Sequence, residues 1–196
     1  MTSTQLRKDA ARNWDRIVAI ARELVDEGTA LQLNDVARRA GLGVGTVYRH
    51  FATPEALLET VAAPCLEGLA EHGRGALALA GTDPLRALEG FLSRVVEAQV
   101  TDAALAPVAA ATADALPRTA ELKGALAAAG TELLDRARVA GAVSADLTAG
   151  DLVPLMCGIA HAVNLHGGDR ASRLRTADRY LTTFFEGARV PPATTP

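Results

Sequence analysis

The segment LNDVARRAGLGVGTVYRHF at residues 33–51 constrains the fold more than any other part of the sequence. Its apolar residues recur at spacings of three and four on both sides of Gly41, at Leu33, Val36, Ala37, Ala40, Val47 and Phe51. This spacing places each set on one face of a helix. A glycine directly after a helix can adopt the left-handed conformation that ends it. The segment therefore predicts two short helices joined by a tight turn, with Leu42 filling the corner.

Glycines followed by basic residues are also found in loops that bind phosphate. Such a loop needs a preceding strand and a Gly-Lys-Ser/Thr ending, and this segment has neither. We therefore interpret it as a helix-turn-helix whose second helix presents Tyr48, Arg49 and His50 outward.

The rest of the sequence also favours helices. Hydrophobic residues make up 49% of the chain but aromatic residues only 4%, so alanine and leucine must supply most of the core, as in closely packed helices. Helical spacing of apolar residues appears at 9–27, 83–100, 103–114 and 118–140 and twice more near the end of the chain. Thr53 and Pro54 are typical of an N-cap and a first helical position, and we expect Pro64 to kink or divide the helix that they open. The predicted fold class is all-α.

The charge balance excludes a broad basic surface. The net charge is −3, with eight Lys and Arg against eight Asp and Glu in residues 1–63, and twelve against fifteen in the remainder. Any DNA affinity would depend on a few well-placed cations. No apolar run is long enough to span a membrane, and the first residues lack a hydrophobic signal region. Two cysteines, Cys65 and Cys157, favour a reducing compartment, so we expect a cytoplasmic protein without a membrane partner.

The longer segment LNDVARRAGLGVGTVYRHFATPEALLETV resembles the DNA-binding module of the TetR/AcrR family of bacterial transcription regulators. The resemblance covers about residues 10–60 and implies an N-terminal three-helix DNA-binding domain at 1–63, with its helix-turn-helix at about 32–51. It further implies a larger helical domain for effector binding and dimerisation at 64–190, and we expect a disordered tail at 191–196. The implied function is that of a homodimeric regulator, expected to be a repressor, which binds a palindromic operator and is released by a small, mostly apolar effector. No enzymatic activity, cofactor or metal is expected.

The resemblance assigns individual residues to DNA. In the family, residues matching Thr46, Tyr48 and His50 contact phosphates, which fixes register without reading sequence. We expect bases to be read by Val44, Gly45, Thr46 and Arg49, helped by Asn34. Arg49 has the geometry to bind a guanine, and Val44 can contact a thymine methyl group.

Three residues depart from the family pattern. Gln32 and Gly43 stand where a capping Ser or Thr is common, and Pro54 replaces a Lys or Arg that commonly contacts a phosphate. We expect Arg7, Lys8 or Arg12 to supply that contact instead. Arg38 and Arg39 are expected to pair with solvent or nearby carboxylates rather than with DNA, and Trp14 to pack against the bundle.

The last two helical segments have wide apolar faces. Thr148 and Asp151 resemble a capping box that opens the first of them, and Gly167-Gly168 separates it from the second. Paired apolar helices suit a four-helix interface between two subunits, and the corresponding pair forms the homodimer in the family. The predicted interface residues are Leu152, Leu155, Ile159, Val163, Leu174, Leu181 and Phe184. The alternative is that these helices close the core of a monomer.

A polar stripe on the first of these helices contains Cys157, His161 and Asn164. Two such side chains one turn apart can be metal ligands, but no further ligands follow in sequence, so no metal site is predicted. The stripe faces either a pocket or the solvent, and the resemblance favours an effector pocket, lined also by Phe91, Val95, Gln99 and Thr112. The alternative function is a helical small-molecule-binding protein or enzyme that uses Cys157 and His161, with the helix-turn-helix serving only as packing.

Overall fold

The computed structural model describes the backbone of residues 3–189 and the side chains of residues 8–189. The Arg7 side chain, assigned to DNA from the sequence, and the tail at 191–196 lie outside the described residues. Within the described range the chain forms nine helices and no strand, apart from one isolated bridge between Val143 and Arg189. The helices are α1 Ser3–Asp26, α2 Leu33–Ala40, α3 Val44–His50, α4 Pro54–Leu79, α5 Pro84–Thr101, α6 Leu105–Ala110, α7 Pro117–Val139, α8 Ala149–His166 and α9 Arg170–Ala188.

Short polar side chains begin several helices, as the sequence predicts. Thr53 Oγ1 accepts a hydrogen bond from Ala56 N–H at 3.2 Å, which confirms the cap of α4. Asp151 accepts from the backbone N–H and the hydroxyl of Thr148 at the start of α8, at 2.8 and 2.6 Å. These bonds lower the pKa of the Asp151 carboxyl.

Three helices differ from the sequence-based boundaries. α1 begins at Ser3, six residues earlier than predicted, and α6 is shorter than the predicted 103–114 segment. α4 continues through Pro64 as one helix rather than dividing there. A proline inside a helix removes one backbone donor, but apolar residues bury α4 on both sides of it, including Leu57, Val61 and Leu66.

The chain forms two compact units. Of the described residues, the first contains 3–64 together with 102–120, and the second contains 65–101 and 121–189. The sequence-based division at 63/64 placed 102–120 in the second domain, whereas the structure groups this segment with the first unit.

The core of the first unit joins α1, α2, α3, the first part of α4 and α6. Its buried apolar residues include Ile17, Ala21, Leu24, Leu33, Val36, Val47, Phe51, Leu57, Val61, Leu105 and Val108. The predicted inner faces of α1, α2 and α3 are therefore confirmed.

In the second unit, α5 packs against α8 and α9, which also pack against each other. Phe91 of α5 lies where two glycines make room for its ring. A Cβ added at Gly73 or Gly130 would lie 3.2 or 3.4 Å from a carbon atom of that ring. None of the described helices is both long enough and apolar enough to cross a membrane.

Candidate DNA-binding surface

The turn between α2 and α3 is set by backbone hydrogen bonds. Gly41 has φ 63° and ψ 34°, the left-handed conformation that favours glycine. Its N–H bonds to the Arg38 carbonyl at 3.2 Å, and the Leu42 N–H bonds to the Ala37 carbonyl at 2.9 Å. These bonds satisfy the last carbonyls of α2. Gly43 then begins α3 in an extended conformation without a side-chain cap.

The inner side of α3 is anchored by apolar contacts. Val47 is fully buried, and the ring of Phe51 is stacked against that of Trp14, with centroids 6.3 Å apart and an interplanar angle of 29°. Trp14 thus packs against the unit as expected, although part of its surface is exposed. This anchoring fixes the direction in which the remaining side chains of α3 point.

The outer side of α3 carries the residues assigned to DNA from the sequence. Val44 is 48% exposed and Tyr48 is 50% exposed, and both are large side chains without apolar cover. Gly45 and Arg49 are also exposed, and Thr46 and His50 are half-buried. Asn34 is exposed on α2. The structure therefore keeps this predicted set accessible on two adjoining helices.

Arg49 is folded back along its own helix. Its Nε donates to the Gly45 carbonyl at 3.0 Å, and one Nη donates to Thr46 Oγ1 at 3.2 Å. The Thr46 hydroxyl accepts this bond, so its own O–H remains available to a phosphate. Arg49 would have to exchange both bonds to reach a base.

The other arginines near the turn are paired with carboxylates. Arg39 makes two bonds to Glu27, at 2.7 and 2.9 Å, and Arg38 pairs with Asp35 at 2.8 Å. These pairs confirm that the two arginines bind protein carboxylates. The hydrogen bond from Arg39 lowers the pKa of the Glu27 carboxyl, and the pair links the residue after α1 to α2.

The cations expected from α1 lie at the surface. Lys8 is exposed, and Arg12 is exposed and forms an ion pair with Asp9 on the same helix. A phosphate contact from Arg12 would therefore replace an existing exposed pair, which contributes little to stability.

The predicted effector residues differ in their exposure. His161 and Asn164 lie on the exposed side of α8, and Thr112 is exposed and belongs to the first unit. Their assignment to an effector pocket stays a prediction. Phe91 is packed in the core against Gly73 and Gly130. On α5, Val95 is partly buried and Gln99 is buried.

The hypothesis of an enzyme using Cys157 finds no support in the state of its thiol. Cys157 is half-buried, and burial raises the pKa of the thiol above its ordinary value. A raised pKa reduces the fraction of reactive thiolate at neutral pH. Among the described residues, no group of three His, Cys, Asp or Glu side chains is placed to hold a metal ion.

Three of the predicted interface residues are covered within the single chain. Leu152, Val163 and Leu181 are buried in the core of the second unit, because α8 and α9 turn these residues toward α5. The single chain therefore does not expose them to a second subunit. Leu155 is exposed and Ile159, Leu174 and Phe184 are partly buried, so these four remain accessible. Val153 and Leu165 add exposed apolar surface to α8 that the sequence reasoning missed.

Two charged residues of the first unit were not singled out from the sequence. Arg22 and Glu59 make hydrogen bonds to partners 39 to 80 residues away. Nothing in their local sequence identifies those partners. Only the burial of a charged residue on an otherwise apolar helix face could have indicated Glu59.

Two family models match the chain. The model for "Bacterial regulatory proteins, tetR family" matches residues 17–61. The model for "Transcriptional regulator SbtR-like, C-terminal domain" matches residues 83–190, more than half of the chain.

Individual proteins show the same relationship. An HTH-type transcriptional regulator of Staphylococcus aureus (strain USA300) is 46% identical over 48 residues, 24% of this chain and 26% of the relative. The chain thus matches about a quarter of the length of that curated relative. The TetR regulator SCO0520 of Streptomyces coelicolor is 29% identical over 91% of this chain and 99% of its own, with a TM-score of 0.54. PfmR of Thermus thermophilus, 16% identical over 90% and 97%, has a TM-score of 0.63, which shows a shared fold.

Proposed function

Because the chain belongs to the TetR family of transcriptional regulators, we propose that it binds a palindromic operator as a homodimer and represses transcription until a small effector releases it. The observation that carries the proposal is the outer side of α3, where large side chains stay exposed while Val47 and Phe51 anchor the helix. The family and fold of this chain are those of transcriptional regulators rather than enzymes.

The chemistry of α3 supports a division between positioning and reading. The hydroxyls of Thr46 and Tyr48 and the ring N–H of His50 are donors suited to phosphate oxygens, which are the same in every sequence. Arg49 and Val44, with Asn34 from α2, would read bases in the major groove. Lys8 and Arg12 of α1 would add phosphate contacts in place of the cation that Pro54 replaces.

A second subunit is needed because α3 is short. Seven residues offer few base contacts, and helix-turn-helix proteins gain specificity by binding two half-sites as a dimer. The accessible apolar side chains of α8 and α9 would form the contact: Val153, Leu155, Ile159, Leu165, Leu174 and Phe184. Leu165 is 76% exposed in the single chain, and large exposed apolar patches are typical of interfaces.

The effector site is proposed beside α5 in the second unit. Gln99 is 95% buried, since 5% of its surface is exposed, and its amide makes no side-chain hydrogen bond within the described part of the chain. The amide can both donate and accept hydrogen bonds, so a bound molecule with a carbonyl or hydroxyl group could bond to it. A mostly apolar effector with one such group would also suit Val95.

The effector proposal can be tested by screening small molecules for release of labelled DNA. Molecules that release it should bind more weakly to Gln99→Leu, which keeps the volume and removes the amide. We expect operator binding without effector to be unchanged in this variant. Equal effector affinity for both proteins would contradict the assignment of Gln99.

The DNA-binding proposal is tested by selecting bound fragments from random duplex DNA. The selected sequences should share a palindrome whose half-sites are about one helical turn apart or a multiple of it. Affinity for the selected duplex should fall as salt rises. Recovery of fragments with no common sequence would contradict the proposed function.

A further inference from the structure

Segment 102–120 is held on the first unit by two charged side chains from other elements. Arg22 of α1 donates to Asp102 Oδ1 at 2.7 Å and to the Val61 carbonyl of α4 at 2.6 Å. Glu59 of α4 accepts bonds from the backbone N–H groups of Ala115 and Leu116, at 2.6 and 2.8 Å. We call these four bonds the latch. It fastens the segment near both of its ends.

The two carboxylates of the latch are largely withdrawn from solvent, whereas the side chain of Arg22 is 32% exposed. Glu59 is only 4% exposed, and the side chain of Asp102 is 17% exposed. Asp102 also accepts from the Ala104 N–H at 2.9 Å, which orders the turn into α6. A buried carboxylate is unfavourable unless its oxygens are hydrogen-bonded, and each oxygen of Glu59 has one backbone donor. The burial of Glu59 therefore depends on the segment staying in place.

The latch also connects α1 with α4, because Arg22 binds both Val61 and Asp102. α1 packs against α2, which packs against α3, so the direction of α3 depends on how α1 is held. A dimer must present two copies of α3 at the spacing of two half-sites. A small change in the direction of each α3 would therefore weaken binding to an operator.

We propose that Glu59 and Arg22 are positioning residues for operator binding: by fastening segment 102–120 to α1 and α4, they fix α3 in the direction that an operator requires. The inference rests on the proposed function. Neither residue lies on α3 or is one of the residues assigned to DNA. Unrelated duplex, which imposes no half-site spacing, should be bound almost independently of the latch.

The test uses Glu59→Gln, which removes the charge and leaves one acceptor oxygen, and Arg22→Lys, which keeps the charge but replaces the two nitrogens that bind Asp102 and Val61 with one. The control is Glu71→Gln, which removes the same charge from an exposed ion pair with Arg74 on the same helix. Affinities would be measured on the selected duplex and on an unrelated duplex of equal length. Hydrogen exchange at Ala115 and Leu116 would report directly on the latch.

We expect each latch variant to bind the selected duplex about fivefold more weakly or worse, the lower end of ordinary coupling. Binding to unrelated duplex should stay within about twofold, as for a neutral surface change. The double variant should lose little more than one single variant, because both residues hold the same segment. We expect the amides of Ala115 and Leu116 to exchange faster in Glu59→Gln. Glu71→Gln should change neither this exchange nor the affinity for DNA.

Three results would overturn the inference. If the unaltered protein selects a palindrome and the variants bind it equally well, the latch does not position α3, while the proposed function stands. If both duplexes are bound more weakly in proportion, the residues serve folding only. If the unaltered protein selects no DNA, the proposed function fails and the inference fails with it.

Discussion

Tyr48 and Arg49 are adjacent on α3 but differ in whether they can distinguish one DNA sequence from another. The Tyr48 hydroxyl is a neutral donor on an exposed ring, and the Arg49 guanidinium rests against Gly45 and Thr46. A donor to phosphate affects every duplex alike, whereas an arginine on a guanine affects one base pair. The conformation of Arg49 in the free chain could not be predicted from spacing, because it depends on which acceptors lie within reach.

Two substitutions separate these roles. We expect Tyr48→Phe to weaken binding to the operator and to unrelated duplex similarly, with almost no change in salt dependence, since no counterion is released by a neutral donor. Arg49→Ala should cost about 1–3 kcal/mol on the operator and relax preference at one base pair per half-site. Affinities on both duplexes at two salt concentrations are the measurement. An equal loss on both duplexes with a flatter salt slope would identify Arg49 as a phosphate contact.

Gly45 offers a second test at this scale. A Cβ added there meets no other atom within 4 Å, and the same holds for Gly90 on the exposed side of α5. Alanine favours helices over glycine by up to about 1 kcal/mol, so neither Gly→Ala change should destabilise the fold. If α3 lies close to DNA at Gly45, Gly45→Ala should weaken operator binding while Gly90→Ala should not. Equal operator affinity for both variants, measured with thermal unfolding as a check, would place Gly45 away from the DNA.

The elements were predictable to different degrees, and α2 and α8 show why. α2 has apolar residues on one face only, at Leu33, Val36, Ala37 and Ala40, and the structure buries that face. α8 has apolar residues on every side, so spacing cannot tell which stripe faces the core. The stripe that is buried consists of Leu152, Met156, Ala160 and Val163, because α5 and α9 pack against α8. Tertiary contacts decide this, and a single sequence does not contain them.

The link between α1 and α2 should depend on pH. The bond from Arg39 lowers the pKa of Glu27 in the folded chain. The Glu27–Arg39 pair therefore contributes fully to the free energy of unfolding at pH values above the pKa of an unfolded glutamate. That contribution is lost as the pH falls through the lowered folded value. We expect the stability difference between the unaltered protein and Glu27→Gln to be constant near neutral pH and to shrink in acid.

Urea unfolding at several pH values would measure this difference. Asp15→Asn removes one negative charge from an exposed position of α1 and serves as the control. A difference that stays constant down to the most acidic pH at which the protein folds would show that the pair with Arg39 does not stabilise the link.

At the scale of the whole molecule, the division into units was only partly predictable. The boundary near Pro64 follows from where the helix-turn-helix resemblance ends. The grouping of 102–120 with the first unit does not follow from the resemblance. It depends on hydrogen bonds from Glu59 and Arg22 to backbone and carboxylate partners far along the chain. Local composition in this alanine-rich segment has no signal for such contacts.

The last prediction concerns assembly, since operator binding and dimerisation should fail together. Leu155 is exposed on α8, so Leu155→Glu should leave the single chain folded but place a charge in the proposed interface. Val139→Glu is the matched control, because Val139 is 90% exposed at the end of α7. We expect sedimentation to show a dimer for the unaltered protein and the control, and a shift to monomer for Leu155→Glu. Operator affinity should fall in the same variant only, because a monomer binds one half-site. A monomer in the unaltered protein at concentrations that saturate the operator would contradict the proposed interface.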